Sequence, residues 1–176
     1  VTPGDVFVAL ATENNDGHRF VAAAFAAGAL SAIVAGKKQD MLPRAIQKKV
    51  IATANPLTAL HRCARSYRQY LGIPIVALTG SSGKTTTRNC ISWVLSQRCT
   101  VGETHGNWNN SIGVPLSILR FHGKEDIGIL ECGANHVGEI GELSRIIRPS
   151  VGCITNIGYG HIGLFGSLTA TTEAKF

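Results

Sequence analysis

The stretch IVALTGSSGKTTTRNC, Ile75 to Cys90, decides the fold. Ile75 to Thr79 is an aliphatic, partly β-branched run and reads as a strand. A Gly/Ser turn follows, and Lys84 opens a segment that reads as a helix over 84–97. Glycines in such a turn let backbone N–H groups converge on phosphate oxygens, and the helix directs its positive end at them. Thr79, Gly80, Ser81, Ser82, Gly83, Lys84, Thr85 and Thr86 are therefore the candidate phosphate cradle. Lys84 would reach the terminal phosphates, and the Thr85 hydroxyl would ligate Mg²⁺. The usual pattern has glycine five positions before Gly83, where this chain has Leu78. An ordinary strand-to-helix turn that happens to contain Gly-Lys-Thr is the alternative; the strand before it and the helix after it weigh against that.

Outward from this turn, strand and helix patterns alternate. Strands are expected over 75–79, 100–104, 127–131 and 151–156, with helices over 112–120 and 138–147 as well as 84–97. Elements of this length in this order imply βαβ units and a mostly parallel sheet with flanking helices, its ligands gathered at the carboxyl ends of the strands. Upstream, Asp5–Leu10 reads as a strand, Gly17–Ala29 as an Ala-rich helix, and Leu30–Ala35 as a second strand. A polar connector containing Pro43 leads to a third strand in KKVIATA. Asn55 caps a helix that starts at Pro56 and ends at Gly72. Its stripe is Leu57, Leu60, Ala64, Tyr67 and Leu71, and its solvated face holds Arg62, Arg65 and Arg68. The expectation is an α/β chain: a P-loop-type domain over 73–176, preceded by a partial, smaller α/β domain over 1–72.

The 176 residues are 44% hydrophobic, ample for packed cores, and no run of 18 apolar residues suggests a membrane span. The net charge of +6 favours anionic partners, nucleotides and nucleic acid alike. Five cysteines, Cys63, Cys90, Cys99, Cys132 and Cys153, show no metal-binding spacing and read as reduced, buried thiols of a cytoplasmic protein.

Polar residues recur just past the other strands. THGNWNNSIGVP, Thr104 to Pro115, brings Asn109 and Asn110, whose amides can donate to sugar or phosphate oxygens. Taken alone, these asparagines could equally serve turn geometry. Glu131 closes an apolar strand and is placed to bind Mg²⁺ directly or through water. Asn135 and His136 follow on the loop, while Glu139 and Glu142 suit the first turn of a helix. His161, among glycines after the last strand, is a further candidate metal ligand.

The set TGSSGKTT, GNWNNSIGVP, ECGANHVGEI and RPSVGCITNIGYGHIGLFGS resembles the Mur ligases, ATP-dependent amide-forming enzymes. PGDVFVAL and DGHRFVAAAFAAGA extend the resemblance to the family's UDP-sugar-gripping N-terminal domain, so it covers nearly the whole chain. The branch it resembles joins D-alanyl-D-alanine to UDP-N-acetylmuramoyl-tripeptide, using ATP and Mg²⁺, through an acyl phosphate. The resemblance implies that Lys84 and the turn hold the triphosphate, and that Thr85, Glu131 and His161 serve the metal. It implies that Asn109, Asn110, Asn135 and His136 face the substrate, and that Lys175, in TEAKF, is a carbamylated metal-ligating lysine. Lys84, Glu131, His161 and Lys175 are thus the implied catalytic set.

A cytoplasmic monomer is expected, without nucleic acid and without a membrane span. The chain begins without an initiator Met and stops within a helix-like pattern, so it reads as a fragment that is inactive alone. Folylpolyglutamate synthase, another Mur ligase, or a plain P-loop nucleotide-binding module remain as alternatives. A nucleic-acid binder using the Arg62–Arg68 face is a further one.

Overall fold

Every pairing between named strands is parallel, as strands separated by helices require. The structure is a computed structural model and describes residues 1–12, 15–158 and 167–175. The chain divides into two compact units, Val1–Arg62 and Cys63–Phe176.

In the first unit, β1 (Val6–Val8), β2 (Ser31–Ala35) and β3 (Val50–Thr53) lie in that order. The expected helix over 17–29 is two pieces, a 3-10 turn at Gly17–Phe20 and α1 at Val21–Ala26. The break follows from Asp16, whose side chain accepts from the His18 N–H at 3.1 Å and caps the tighter turn. The polar connector holds two four-residue helices, α2 (Gly36–Gln39) and α3 (Arg44–Gln47), too short to leave a periodic signature. Ala9, Val21, Ala32 and Val34 form the small core.

Asp16 also locks the turn to the sheet. His18 Nε2 accepts from the Ala35 N–H at 2.9 Å, so Nδ1 carries the hydrogen that it donates to Asp16 at 2.6 Å. Lys38 takes the other carboxylate oxygen. Bonding to Lys38, then to His18, holds the Asp16 carboxyl well below its ordinary value of 3.8. A carboxylate lowered on folding stabilises fully above its unfolded value and loses that contribution as pH falls toward its folded value. Wild-type protein should therefore lose stability relative to Asp16→Asn as pH drops below 3.8, in paired acid melts. Parallel acid curves would show that the network contributes nothing.

Helix α4 (Pro56–Leu71) has its cap where expected, with Asn55 Oδ1 accepting from the Leu57 and Thr58 N–H groups at 2.9 and 3.3 Å. The sheet of the second unit runs β5 (Val101–Glu103), β6 (Ile127–Glu131), β4 (Ile75–Thr79), β7 (Val151–Ile154). Its helices are α5 (Lys84–Leu95), α6 (Gly113–Leu119), α7 (Glu139–Ile147) and α8 (Leu168–Lys175). Ile75, Ala77, Leu130 and Cys132 cluster with Ala64 of α4, Val114 and Ile118 of α6, and Leu143, Ile146 and Ile147 of α7. Strand side chains alternate between faces, so Leu78 and Glu131 point to the opposite face, where α5 stands. Full burial of Ile75, Ile118, Leu130, Leu143 and Ile147 contributes about 1.5–3 kcal/mol each. Gly102 and Gly128 face each other across β5 and β6, and the Phe121 ring covers both. A Cβ at Gly102 would come within 2.7 Å of that ring.

Two further expectations change. Arg68 is not on a solvated face: it is buried, donating from Nε to the Ile147 carbonyl at 2.7 Å at the end of α7. Burial, then the Arg148 charge, lowers its pKa. Arg62 and Arg65 stay exposed, and two cations one turn apart make a thin nucleic-acid face. Nor are the cysteines all buried, since Cys63 and Cys90 are exposed. Cys132 is buried, and burial with the Glu131 charge pushes its thiol up to about 12. Among the described residues no helix is long and apolar enough to cross a membrane.

Candidate functional site

The turn between β4 and α5 is held open from behind by the segment after β7. Gly80, at φ 146°, lies so close to it that a Cβ would come within 2.0 Å of Thr155 Oγ1. Only glycine fits there. Thr155 Oγ1 donates to the Ser82 carbonyl at 2.6 Å. The Ser81 N–H donates to the Asn156 carbonyl at 3.1 Å, and the Ser82 N–H to Asn156 Oδ1 at 3.0 Å. The two serine N–H groups thus brace the turn in this state. The first-turn N–H groups of α5, after Gly83 at φ 77°, are the donors that point outward for an anion. Lys84 Nζ folds back onto the Gly80 carbonyl at 2.6 Å. Ser82, Thr85 and Thr86 are exposed on the open side, whereas the Thr79 hydroxyl is buried without a hydrogen-bond partner among the described residues.

Glu131 ends β6 beside this turn, 1% exposed. Its Oε2 accepts from Thr85 Oγ1 at 3.1 Å, and its backbone N–H donates to Thr104 Oγ1 at 2.7 Å. Oε1 lies 3.1 Å from Arg88 Nη1 yet has no hydrogen-bond partner of proper geometry. The reason is a shortage of hydrogens. Nη1 has two, and it already donates to the Thr104 and Gly106 carbonyls at 3.1 and 3.2 Å. A buried carboxylate oxygen is left with charge nearby and no proton to accept. Neighbouring ligands of octahedral Mg²⁺, each 2.0–2.1 Å from the ion, lie about 2.9 Å apart, close to the Thr85–Glu131 spacing. The pair fits such an ion. Among the described residues no three His, Cys, Asp or Glu gather, so phosphate oxygens and water would complete the shell, as Mg²⁺ prefers.

The Asn-rich loop leaves β5 on the same edge. Asn109 is fixed by its carbonyl, which accepts from the Gly133 N–H at 2.6 Å. Asn110 Oδ1 accepts from the Ile112 and Gly113 N–H groups at 3.1 and 2.8 Å, so its acceptor end starts α6 and its Nδ2 end remains as a donor. Gly113 is required by packing, since a Cβ would come within 2.5 Å of the Trp108 Cα. Asn135 and His136 are exposed, and their N–H groups donate to Glu139 Oε2 at 2.6 and 3.1 Å. Glu139 thus shapes that loop in addition to facing the helix dipole.

Lys175, in the last turn of α8, is 4% exposed and lines a cavity of about 220 Å³ with Thr79, Cys132 and Ser144. Burial, then the Lys84 charge, lowers its pKa. His161 lies outside the described residues. The sequence reading missed Arg88, Thr104, Thr155 and Asn156. Helical spacing, which puts Arg88 one turn after Lys84, is the one signal for that residue. The Thr-Asn pair was legible as the first polar residues past β7.

A Gly/Ser turn between a parallel strand and a helix, with a carboxylate on the neighbouring strand end, defines an α/β domain of the P-loop type. Residues 78–176 match the model described as the Mur ligase middle domain, and the chain belongs to the Mur ligase family. It is 41% identical to the UDP-N-acetylmuramoyl-tripeptide–D-alanyl-D-alanine ligase of Synechocystis over 98% of this chain and 37% of the relative. It is likewise 41% identical to the Bacillus subtilis ligase of that name, over 97% of this chain and 36% of the relative. Among solved structures, MurF from Acinetobacter baumannii aligns with a TM-score of 0.89 at 37% identity, covering 99% of this chain and 37% of that one. MurF from Thermotoga maritima in complex with ADP aligns at 0.88 and 33%, covering 99% and 40%. The chain therefore spans little more than a third of the relatives it matches.

Proposed function

We propose that this chain is part of an ATP-dependent ligase that joins D-alanyl-D-alanine to UDP-N-acetylmuramoyl-tripeptide in peptidoglycan synthesis. The relatives' names support the substrates, and the ADP bound to the Thermotoga neighbour supports a nucleotide at the turn. The observation that carries the reading is Thr85 Oγ1 at 3.1 Å from Glu131 Oε2, with Oε1 lacking a hydrogen. In this reading the α5 N–H groups and Lys84 hold the triphosphate of ATP while its γ-phosphoryl passes to the tripeptide carboxylate. The amine of D-alanyl-D-alanine then attacks the acyl phosphate, and phosphate leaves. Bound Mg²⁺ would supply charge neutralisation on the phosphates, with Thr85 and Glu131 as its protein ligands. The first unit would grip the UDP-sugar end, and Asn109 and Asn110 would face the muramoyl group. The test is ATP-dependent phosphate release by a full-length ligase carrying this segment, with each candidate acceptor. Release with a single amino acid but not with D-alanyl-D-alanine would move it to another branch of the family.

Asn110 separates binding from folding. Asn110→Ala should cost about 1 kcal/mol of stability, because it removes the oxygen that accepts from the Ile112 and Gly113 N–H groups at the start of α6. It should also weaken the UDP-linked substrate more than ATP. Asn110→Asp keeps the capping oxygen and loses the donor, so it should melt normally and still bind the sugar-peptide poorly. Normal sugar-peptide affinity in both variants, by calorimetry, would remove Asn110 from the substrate site.

Lys175 suits a carbamate for a physical reason. Burial favours its neutral amine, which can take up CO₂ and release a proton, turning a cation into an oxygen ligand. Lys175→Ala should lose activity, and formate or acetate should restore part of it. Full activity without rescue would rule the carbamate out.

A further inference from the structure

Arg88 touches more of the site than any residue named in its chemistry. Nε lies 3.3 Å from Glu103 Oε2 and donates, as Nη2 does, to Asn89 Oδ1, while Nη1 lies 3.1 Å from Glu131 Oε1 and donates to the Thr104 and Gly106 carbonyls. One side chain of α5 therefore joins the β6 carboxylate to both ends of the segment from which the Asn-rich loop departs. Its guanidinium is nearly enclosed, with 11% of the side chain exposed. The contacts with Glu131 and Glu103 are charge without a hydrogen, because Nε and Nη2 donate to Asn89 Oδ1 at 3.2 and 2.9 Å, while the carbonyl contacts are hydrogen bonds.

We propose that Arg88 is a positioning residue that couples the Glu131 end of the site to the Asn-rich loop, so that metal-loaded nucleotide and the UDP-linked substrate tighten each other's binding. This rests on the functional reading above. A divalent cation sharing Glu131 takes up the charge that attracts Arg88 through Oε1, which leaves Glu103, at the end of β5, as the counter-ion of the guanidinium while Nη1 keeps its hydrogens on the Thr104 and Gly106 carbonyls. That fixes the base of the loop carrying Asn109 and Asn110. The coupling is reciprocal by linkage, so either ligand reports it.

The experiment measures affinity for UDP-N-acetylmuramoyl-tripeptide by calorimetry, in a full-length ligase carrying this segment. It is run alone, with ADP, and with ADP plus Mg²⁺. ADP plus Mg²⁺ should tighten binding about fivefold or more, and ADP alone should not. In Arg88→Met and Arg88→Lys the gain should shrink to within about twofold. Lysine keeps the charge beside buried Glu131 and so protects folding, but a single ammonium cannot span the three partners. A gain retained in the lysine variant overturns the proposal, as does an equal weakening of both ligands with coupling intact, the mark of a merely structural role. A parent that binds neither ADP nor the sugar-peptide overturns the functional reading itself.

Discussion

In a full-length ligase carrying this segment, replacing Lys84 with alanine is expected to abolish ligation while leaving the fold in place. Lys84 follows the Gly83 turn, and its ammonium is the mobile cation of the cradle, resting on the Gly80 carbonyl at 2.6 Å. That contact is near solvent and contributes about 1 kcal/mol or less to stability. With nucleotide bound, the same ammonium would leave the carbonyl and meet charge that grows on the transferring phosphoryl group. Removing such a donor costs a factor of about 10²–10³ in kcat. Melting curves of Lys84→Ala should overlay the parent, while phosphate release with ATP and both substrates falls to background. Near-normal release would sink the assignment of the turn to triphosphate.

That prediction draws on a part of the molecule that was readable from the sequence. The strands at Ile75–Thr79 and Ile127–Glu131 fall where an apolar run ends in glycine or a charge, and Asn55, Pro56 and Gly72 punctuate α4 by known capping chemistry. The parallel order follows from strand–helix alternation. What the sequence hid depends on contacts between distant segments. Arg68 looks like one arginine among three, and only the arrival of the α7 carboxyl end beside it makes it a buried cap. Asn110 reads as a ligand or as a turn residue, and the structure divides its amide between the two roles. Arg88 carries no signature beyond its helical spacing from Lys84. Its importance comes from Glu103, Thr104 and Gly106 on one strand end and Glu131 on the next, which sequence spacing does not bring together.

Glu131→Gln is expected to raise the Mg²⁺ needed for nucleotide binding without weakening ADP in metal-free buffer. The substitution keeps the shape of a side chain that is 1% exposed, and its amide oxygen can still accept from Thr85. What it removes is the negative charge, the property a hard divalent cation selects for. A tenfold rise in the half-saturating Mg²⁺ concentration, about 1.4 kcal/mol, is the smallest effect consistent with direct ligation. Alanine is the poorer probe. Besides the charge, it would take away the acceptor of Thr85 and leave a cavity beside nearly enclosed Arg88, enough to confuse unfolding with lost affinity. The glutamine variant loses the same charge beside Arg88 but keeps the volume and the Thr85 acceptor, so it should melt above the alanine variant, and its Mg²⁺ titration, read below its melting range by heat or with a fluorescently labelled ADP, reports metal ligation. A curve that overlays the parent would take Glu131 out of the metal site and leave it as a structural anchor for Thr85 and Arg88.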